Sequence, residues 1–212
     1  MNRKSLGLAT IVLLSLITLL GCSPDDDAAT GSPLITGPLA ELQGTWARNC
    51  YSQSNVIKSN DNYRIIETYK ISGTNASVKK MYHASNDVDC TQSPKFMDES
   101  SYNNLAVGDN GTSPGNFRDY QLTYSVQSYG RTPLDISTTS DWQNNFRCSI
   151  FTWATDNYTN LLGNDSCGKL EKVTLLNAYR IVGTNLYLGD PLDKAEFDNY
   201  PPVDDQIPYI KQ

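Results

Sequence analysis

Apolar and polar residues alternate with a period of two along much of this chain, and this alternation limits the folds open to it. Tyr63, Ile65, Tyr69 and Ile71 share one face of a predicted strand. The hairpin turn signal 73–75 leads into a second strand over 76–84. Further strands are predicted over 120–126, 148–154 and, as a last group, between 170 and 188. The segment 130–145 is predicted to be a loop apart from 134–136.

No segment carries apolar residues at the i, i+3, i+4, i+7 spacing of a long amphipathic helix. Many short strands separated by Gly, Asn and Pro turns are typical of an all-β sandwich or barrel. We therefore predict an all-β fold built by antiparallel pairing of consecutive strands.

The N-terminal segment has the pattern of an export signal. Arg3 and Lys4 precede a mostly apolar, uncharged run over 6–20, which is shorter than a typical membrane-spanning helix. The run ends in Leu19-Leu20-Gly21-Cys22, which resembles the lipobox of bacterial lipoproteins. This resemblance implies that residues 1–21 are a signal peptide and that Cys22 is lipidated and holds the protein to a membrane. The residue directly after Cys22 is Ser23, and not the aspartate that retains lipoproteins at the inner membrane. We therefore expect the protein to lie in the outer membrane of the cell envelope, with its folded domain facing either the periplasm or the surface.

The charge balance argues against a nucleic-acid partner. The chain has 17 Lys+Arg and 23 Asp+Glu, a net charge of −6. Loss of Arg3 and Lys4 with the leader leaves 15 basic residues, so the mature net charge is near −8. The one basic cluster is predicted to be a solvated strand face: Arg64, Lys70, Lys79 and Lys80.

Composition divides the mature chain into three parts. Residues 22–38 are rich in Asp, Gly, Ser and Pro and are predicted to be a disordered tether. Residues 39–190 are predicted to be one folded domain. Residues 191–212 are acidic and Pro-rich, and we expect an irregular C-terminal tail there.

Four cysteines remain besides Cys22, an even number in an exported chain, which favours two disulfides. Three pairings are open. We expect Cys50–Cys90 and Cys148–Cys167, the sequence-local choice for a meandering chain. A zinc site is the other interpretation, but no CxxC occurs and His83 is the one histidine.

Gly44-x-Trp46, followed by Cys50, Tyr82 and the Asp89-Cys90-Thr91 segment, resembles small exported bacterial domains with a lipocalin-like β-barrel. The resemblance implies an antiparallel meander that closes into a barrel of about eight strands, with Trp46 buried at one end. Lipocalins lay an arginine over this tryptophan, and Arg180 is the candidate here. The other interpretation of Arg180 is an exposed strand arginine.

The sequence carries no catalytic signature. It has no Gly-x-Ser-x-Gly, Walker or Gly-x-Gly-x-x-Gly motif, and no EF-hand spacing. His83 is predicted to be a partly exposed strand residue rather than a catalytic base. We expect no enzymatic activity, no metal and no cofactor.

Two functions are consistent with these observations. The first is a lipid-anchored barrel that binds a small amphipathic ligand or an envelope protein. The second is a structural or inhibitory envelope lipoprotein whose barrel is filled by its own side chains. Glu67 lies on an otherwise apolar strand face, which implies either a ligand partner or a rim position, and we favour the rim. The candidate ligand or barrel residues are Trp46, Glu67, Tyr69, Tyr82, Tyr124 and Arg180.

Overall fold

The computed structural model describes residues 36–54, 56, 61–112, 118–145, 151–164, 173–194, 203 and 207–212. The predicted signal peptide, Cys22 and most of the predicted tether lie outside these residues, as do Cys148 and Cys167. Two helices lie within them: α1 (Pro38–Leu42) and α2 (Ile136–Asn145). The described residues form ten strands: β1 (Gly44–Ser54), β2 (Asn62–Ser72), β3 (Asn75–Ala84), β4 (Phe96–Thr112), β5 (Arg118–Pro133), β6 (Thr159–Asn160), β7 (Thr174–Val182), β8 (Asn185–Leu188), β9 (Leu192–Asp193) and β10 (Tyr209–Lys211).

Eight of the described strands close into an antiparallel barrel, which confirms the predicted fold class. Neighbouring strands pair in the order β1-β2-β3-β4-β5-β7-β8-β10, and β10 returns to β1 through the Trp46–Lys211 pair. Strands β6 and β9 add to β5 and β7. The topology is lipocalin-like: a meander whose inward side chains fill or line the interior.

The C-terminal segment is part of this barrel. Tyr209 pairs with Leu186 of β8, and Ile210 pairs with both Asn185 of β8 and Ala47 of β1. The prediction of an irregular tail over 191–212 is therefore wrong for β10. Three residues are too few for an alternation to stand out among prolines and aspartates, although they complete the ring of strands.

The predicted loop over 130–145 is also wrong. Residues 130–133 complete β5, and α2 follows. Asp135 begins the helix by accepting the backbone N–H of Thr138 at 2.8 Å. Trp142 is its one fully buried large side chain, packing against Phe96 with ring centroids 5.0 Å apart. One anchoring side chain is too little for a helical periodicity to be visible in the sequence.

The strand predicted over 148–154 is not formed in its described part, 151–154. Trp153 instead packs against Trp142, with ring centroids 4.8 Å apart, and its backbone N–H bonds Gln143 Oε1 at 2.9 Å. The β-prone composition of this segment reflects burial rather than strand pairing.

The two helices lie at opposite ends of the barrel. Gln43, directly after α1, bonds both the N–H and the carbonyl of Gly73 in the turn before β3. At the other end of β3, Leu134 bonds the carbonyl of Lys95 just before α2 begins. No helix among the described residues is long and apolar enough to cross a membrane.

Two apolar clusters fill the ends of the interior. The α1-end cluster includes Leu42, Trp46, Ile71, Leu122 and Leu186. The α2-end cluster comprises Ile65, Tyr82, Phe96, Trp142, Trp153 and Leu161. Inward-facing charged residues lie between the two clusters, and they include those of the candidate functional site.

Candidate functional site

A cavity of about 230 Å³ lies in the barrel interior. All eight barrel strands contribute to its lining, which comprises Arg48, Tyr51, Gln53, Glu67, Tyr69, Val78, Lys80, Tyr102, Tyr124, Asn177, Leu188, Gly189, Asp190, Pro191 and Tyr209. Gln53, Asp190 and Pro191 are exposed, so the cavity reaches the surface beside them. Its volume exceeds the ~150 Å³ of an engineered protein cavity that holds benzene.

A β-bulge in β1 shapes one wall of the cavity. Arg48 pairs with Glu67 and Tyr51 pairs with Ile65, so Asn49 and Cys50 together face Ile66. Strict alternation would place Arg48 and Tyr51 on opposite faces of the strand. The extra residue turns both inward, and bulges commonly re-aim side chains in this way beside functional sites.

The Cys50–Cys90 disulfide lies at this bulge, and the predicted pairing of these two cysteines is confirmed. It ties the bulged part of β1 to the loop after β3, with the two Cα atoms 5.6 Å apart. The loop itself is held by Asp87, whose carboxylate accepts the backbone N–H groups of Thr91 and Gln92. The predicted Cys148–Cys167 disulfide falls outside the described residues.

Glu67 and Lys80 form an ion pair inside the cavity. Their Oε1 and Nζ atoms are 3.1 Å apart, and the two residues are direct partners in the β2–β3 ladder. Glu67 is only 4% exposed, so the predicted rim position is wrong. Lys80, with 33% of its side chain exposed, is not on the solvated outer face either.

Two tyrosines complete the shell of Glu67. Tyr51 donates its hydroxyl to Oε2 at 2.8 Å, and the Tyr209 hydroxyl also bonds this carboxylate. Burial alone would raise the pKa of Glu67, but the Lys80 charge and these hydrogen bonds outweigh it and hold the pKa below its ordinary value. Burial alone would lower the pKa of Lys80, but Glu67 raises it above the ordinary lysine range.

Five tyrosines present their rings and hydroxyls to the cavity: Tyr51, Tyr69, Tyr102, Tyr124 and Tyr209. Burial raises the pKa of every one of these phenols, that of Tyr51 to about 12. They therefore stay neutral at physiological pH. They can donate or accept hydrogen bonds, and their rings can stack on a flat ligand.

Arg48 is held between two of these rings. Its guanidinium carbon lies 4.3 Å from the ring centroid of Tyr209 and 5.2 Å from that of Tyr51. Among the described residues no carboxylate forms an ion pair with it, and its Nε is buried without a hydrogen-bond partner. Arg48 therefore brings a positive charge to the cavity that the described part of the protein does not neutralise.

A second ion pair lies deeper, toward α2. Arg131 and Asp98 pair through two hydrogen bonds, and Tyr82 and Tyr129 donate their hydroxyls to Oδ2 of Asp98 at 3.2 and 3.3 Å. Tyr82, predicted to be a site residue, belongs to this network and does not line the cavity. Its ring stacks on Phe96 in the α2-end cluster. This network closes the interior on that side.

Trp46 lies beneath the α1 end of the barrel rather than in the cavity lining. It is 1% exposed, and its indole N–H donates to the carbonyl of Leu42 in α1 at 2.8 Å. The cation over its ring is Lys211, with Nζ 5.0 Å from the centroid, and not Arg180. Lys211 belongs to β10, in the segment predicted to be irregular, so sequence reasoning did not identify it.

Arg180 lies on the face of β7 opposite Asn177 and Tyr179. It forms a two-point ion pair with Asp119, with Nε–Oδ1 and Nη2–Oδ2 distances of 2.6 and 3.1 Å. At 8% exposed it is not the exposed strand arginine considered above. Arg180 is therefore part of the packing outside the cavity.

His83 faces away from the cavity. Contrary to the prediction of partial exposure, it is 3% exposed, and its Nδ1 lies 3.0 Å from Asp87 Oδ2. It is thus tied to the loop carrying Cys90 rather than to any cavity group. Among the described residues no three His, Cys, Asp or Glu side chains are placed to hold a metal ion.

Of the predicted candidates, the cavity brings together Glu67, Tyr69 and Tyr124. The cavity residues that sequence reasoning missed include Arg48, Tyr51, Lys80 and Tyr209. Of these four residues, Lys80 could have been predicted from the sequence. A two-residue turn at 73–74 fixes the β2–β3 register and places Lys80 opposite Glu67.

Comparison with known proteins adds no relative: no protein-family model matches the chain, and no curated protein matches it in sequence.

Proposed function

We propose that this protein binds a small amphipathic molecule in the barrel interior. The observation that carries this proposal is the cavity of about 230 Å³ to which all eight barrel strands contribute. In a barrel filled by its own side chains this volume would be occupied. The cavity therefore favours ligand binding over the alternative of a structural barrel without a ligand.

The lining supports an amphipathic ligand rather than a purely apolar one. Tyr69, Tyr102 and Tyr124 offer ring faces and edges, with Tyr102 and Tyr124 centroids 4.9 Å apart. Asn177 and the tyrosine hydroxyls offer hydrogen bonds. Such a mixture of ring surface and a few placed polar groups is typical of small-molecule sites.

We propose further that the protein acts without chemical turnover. Acid–base catalysis near neutral pH needs a group whose pKa lies near that range. The shifted groups of the cavity move the other way: Glu67 downward, and Lys80 and the tyrosines upward. A screen of ester, glycoside, phosphate and peptide substrates should find no activity. Turnover that is lost on Glu67→Gln would contradict this.

Native mass spectrometry tests the binding proposal. Protein purified without detergent should carry a small adduct, or acquire one from a panel of single-ring compounds. Gln53→Trp should block the opening and abolish the adduct. Ser52→Trp is the matched control, because its neighbouring position on β1 faces the outside of the barrel and it should leave the adduct unchanged. Adducts that are equal in both variants would contradict the proposed location.

We propose that the barrel is anchored to the outer membrane by lipid on Cys22. The lipobox-like sequence supports this, since several acyl chains on one cysteine give essentially permanent membrane attachment. Cys22→Ser should leave the precursor unprocessed or release the protein from membranes. Normal processing and membrane fractionation of that variant would contradict the anchor.

A further inference from the structure

The charged side chains that line the cavity differ in how completely they are paired. The carboxylate of Glu67 has Lys80, Tyr51 and Tyr209 as partners. Arg48, in the same cavity, makes cation–π contacts with Tyr51 and Tyr209 and forms no ion pair with another described residue. Arg48 as a whole is half-buried, but its Nε is buried with no hydrogen-bond partner, and buried polar groups in proteins are normally paired.

The conformation of Arg48 is nevertheless well defined. The β1 bulge turns Tyr51 inward beside it, and Tyr209 covers its other side at 4.3 Å. A guanidinium held between rings is ready to bind a planar two-oxygen acceptor with little loss of side-chain entropy. An anion that enters from outside would supply the partner that the described residues do not provide.

We propose that the ligand is a compact, ring-containing carboxylate whose acidic group pairs with Arg48. This inference rests on the proposed function and names the chemistry of its ligand. The volume of about 230 Å³ suits one ring with its substituents. The ring contacts Tyr69, Tyr102 and Tyr124, and the carboxylate lies against the guanidinium.

A monoanion fits better than a phosphate. The ionised carboxylate of Glu67 lines the same cavity, and the exposed Asp190 lies at its opening. A second full negative charge would be repelled by both. One arginine matches one carboxylate in charge and in its paired donor geometry.

Isothermal titration with a matched pair of probes tests the proposal. The probes are 4-hydroxybenzoate and its neutral isostere 4-hydroxybenzamide. Wild-type protein should bind the acid at least about tenfold more tightly than the amide, the scale of one charge-assisted hydrogen bond. Arg48→Met should bind both probes about equally, with the affinity for the amide little changed.

Two further variants separate the anchor from general effects. Arg64→Met removes one arginine from the outer face of the adjacent strand β2 and should keep the preference for the acid. Arg48→Lys keeps the charge but loses the planar fork, and its preference should be intermediate. Because it preserves the charge, this variant also serves as the test if Arg48→Met fails to fold.

The outcomes distinguish the two proposals. If wild-type protein binds neither probe, both the ligand class and the proposed function at this ligand size are contradicted. If it binds both equally, or if Arg48→Met keeps the preference for the acid, the Arg48 anchor is overturned while the binding cavity stands.

Discussion

Arg48 and Tyr51 both point into the barrel although three positions separate them on one strand, and the guanidinium of Arg48 lies 5.2 Å from the Tyr51 ring centroid. The bulge at Asn49 and Cys50 makes this arrangement possible. The Cys50–Cys90 disulfide holds that bulge against the loop after β3. One local irregularity thus places Arg48 beside the ring of Tyr51, whose hydroxyl bonds Glu67.

The Glu67–Lys80 pair predicts a measurable coupling energy. Glu67→Gln keeps the shape of the side chain but leaves the Lys80 ammonium without its counter-charge. We expect it to reduce the free energy of unfolding by about 1–3 kcal/mol at pH 7, toward the lower end because Lys80 is partly exposed. Adding Lys80→Met should recover part of that loss in urea unfolding. Single effects that sum to the double within about 0.5 kcal/mol would contradict the coupling.

The same pair fixes the direction of a pH dependence. The pKa of Glu67 is lowered on folding, so its contribution is present above the unfolded value near 4.3 and is lost as pH falls through the folded value. The pKa of Lys80 is raised, so its contribution is lost only as pH rises through the folded value. The difference in stability between wild type and Glu67→Gln should therefore be smaller at pH 3 than at pH 7. A difference that grows on acidification would contradict the ion pair.

The disulfide at the bulge should contribute substantially to stability. Cys50 and Cys90 are 40 positions apart, and closure of a loop of that length corresponds to about 3–4 kcal/mol in the chain-entropy account. The double change Cys50→Ala with Cys90→Ala should reduce unfolding stability by this amount in urea. A loss below about 1 kcal/mol would show that the covalent link adds little to this loop.

Removal of the Trp46 side chain tests the packing at the α1 end. Trp46→Ala should cost about 3–5 kcal/mol because it empties a fully buried site. Trp46→Phe is the control, since it keeps most of the buried ring and loses the hydrogen bond to Leu42, at a cost of about 1–2 kcal/mol. Thermal unfolding separates the two. Equal melting temperatures for Trp46→Ala and wild type would contradict the observed burial.

Asp135 should stabilise α2 as its N-terminal cap. Burial alone would raise the pKa of Asp135, but hydrogen bonds from Ser137 and Thr138 and the charge of Lys95 lower it to about 2. Asp135→Ala should cost about 1 kcal/mol at neutral pH. Because the folded pKa is depressed, the difference should shrink as pH falls from about 4 toward 2. Guanidinium unfolding at pH 7 and pH 2.5 measures it, and an undiminished difference at the lower pH would contradict the cap.

Strands β2 and β3 could be predicted because buried positions alternate with exposed or half-buried ones along most of each strand. Residues 63–71 and 76–84 show this alternation directly, and β2 and β3 form there. Helix α2 could not be predicted in this way, since Trp142 is its one fully buried large side chain. Strand β10 could not be predicted either, because its pairing with β1 joins residues more than 150 positions apart in the chain.

The residues of the cavity were also predicted only in part, because some of them face inward only as a result of tertiary structure. Glu67 stood out as a carboxylate on an apolar face, and the hairpin register could have added Lys80. Arg48 and Tyr51 depend on a bulge, and a bulge changes the inward face of a strand without a mark in its sequence. The alternation of apolar and polar residues therefore predicts regular strands. It does not predict the bulge that shapes the site, because the bulge depends on tertiary contacts.

The most direct test of the binding cavity is a titration followed by NMR with ¹³C-labelled tyrosine rings. Single-ring compounds, including 4-hydroxybenzoate, are added to the wild-type protein. We expect the ring signals of the five cavity tyrosines to shift together and saturably, while the signal of exposed Tyr158 does not move; the five are Tyr51, Tyr69, Tyr102, Tyr124 and Tyr209. Saturable shifts confined to Tyr158 and other tyrosines outside the cavity, or no shift with any compound of the panel, would contradict it.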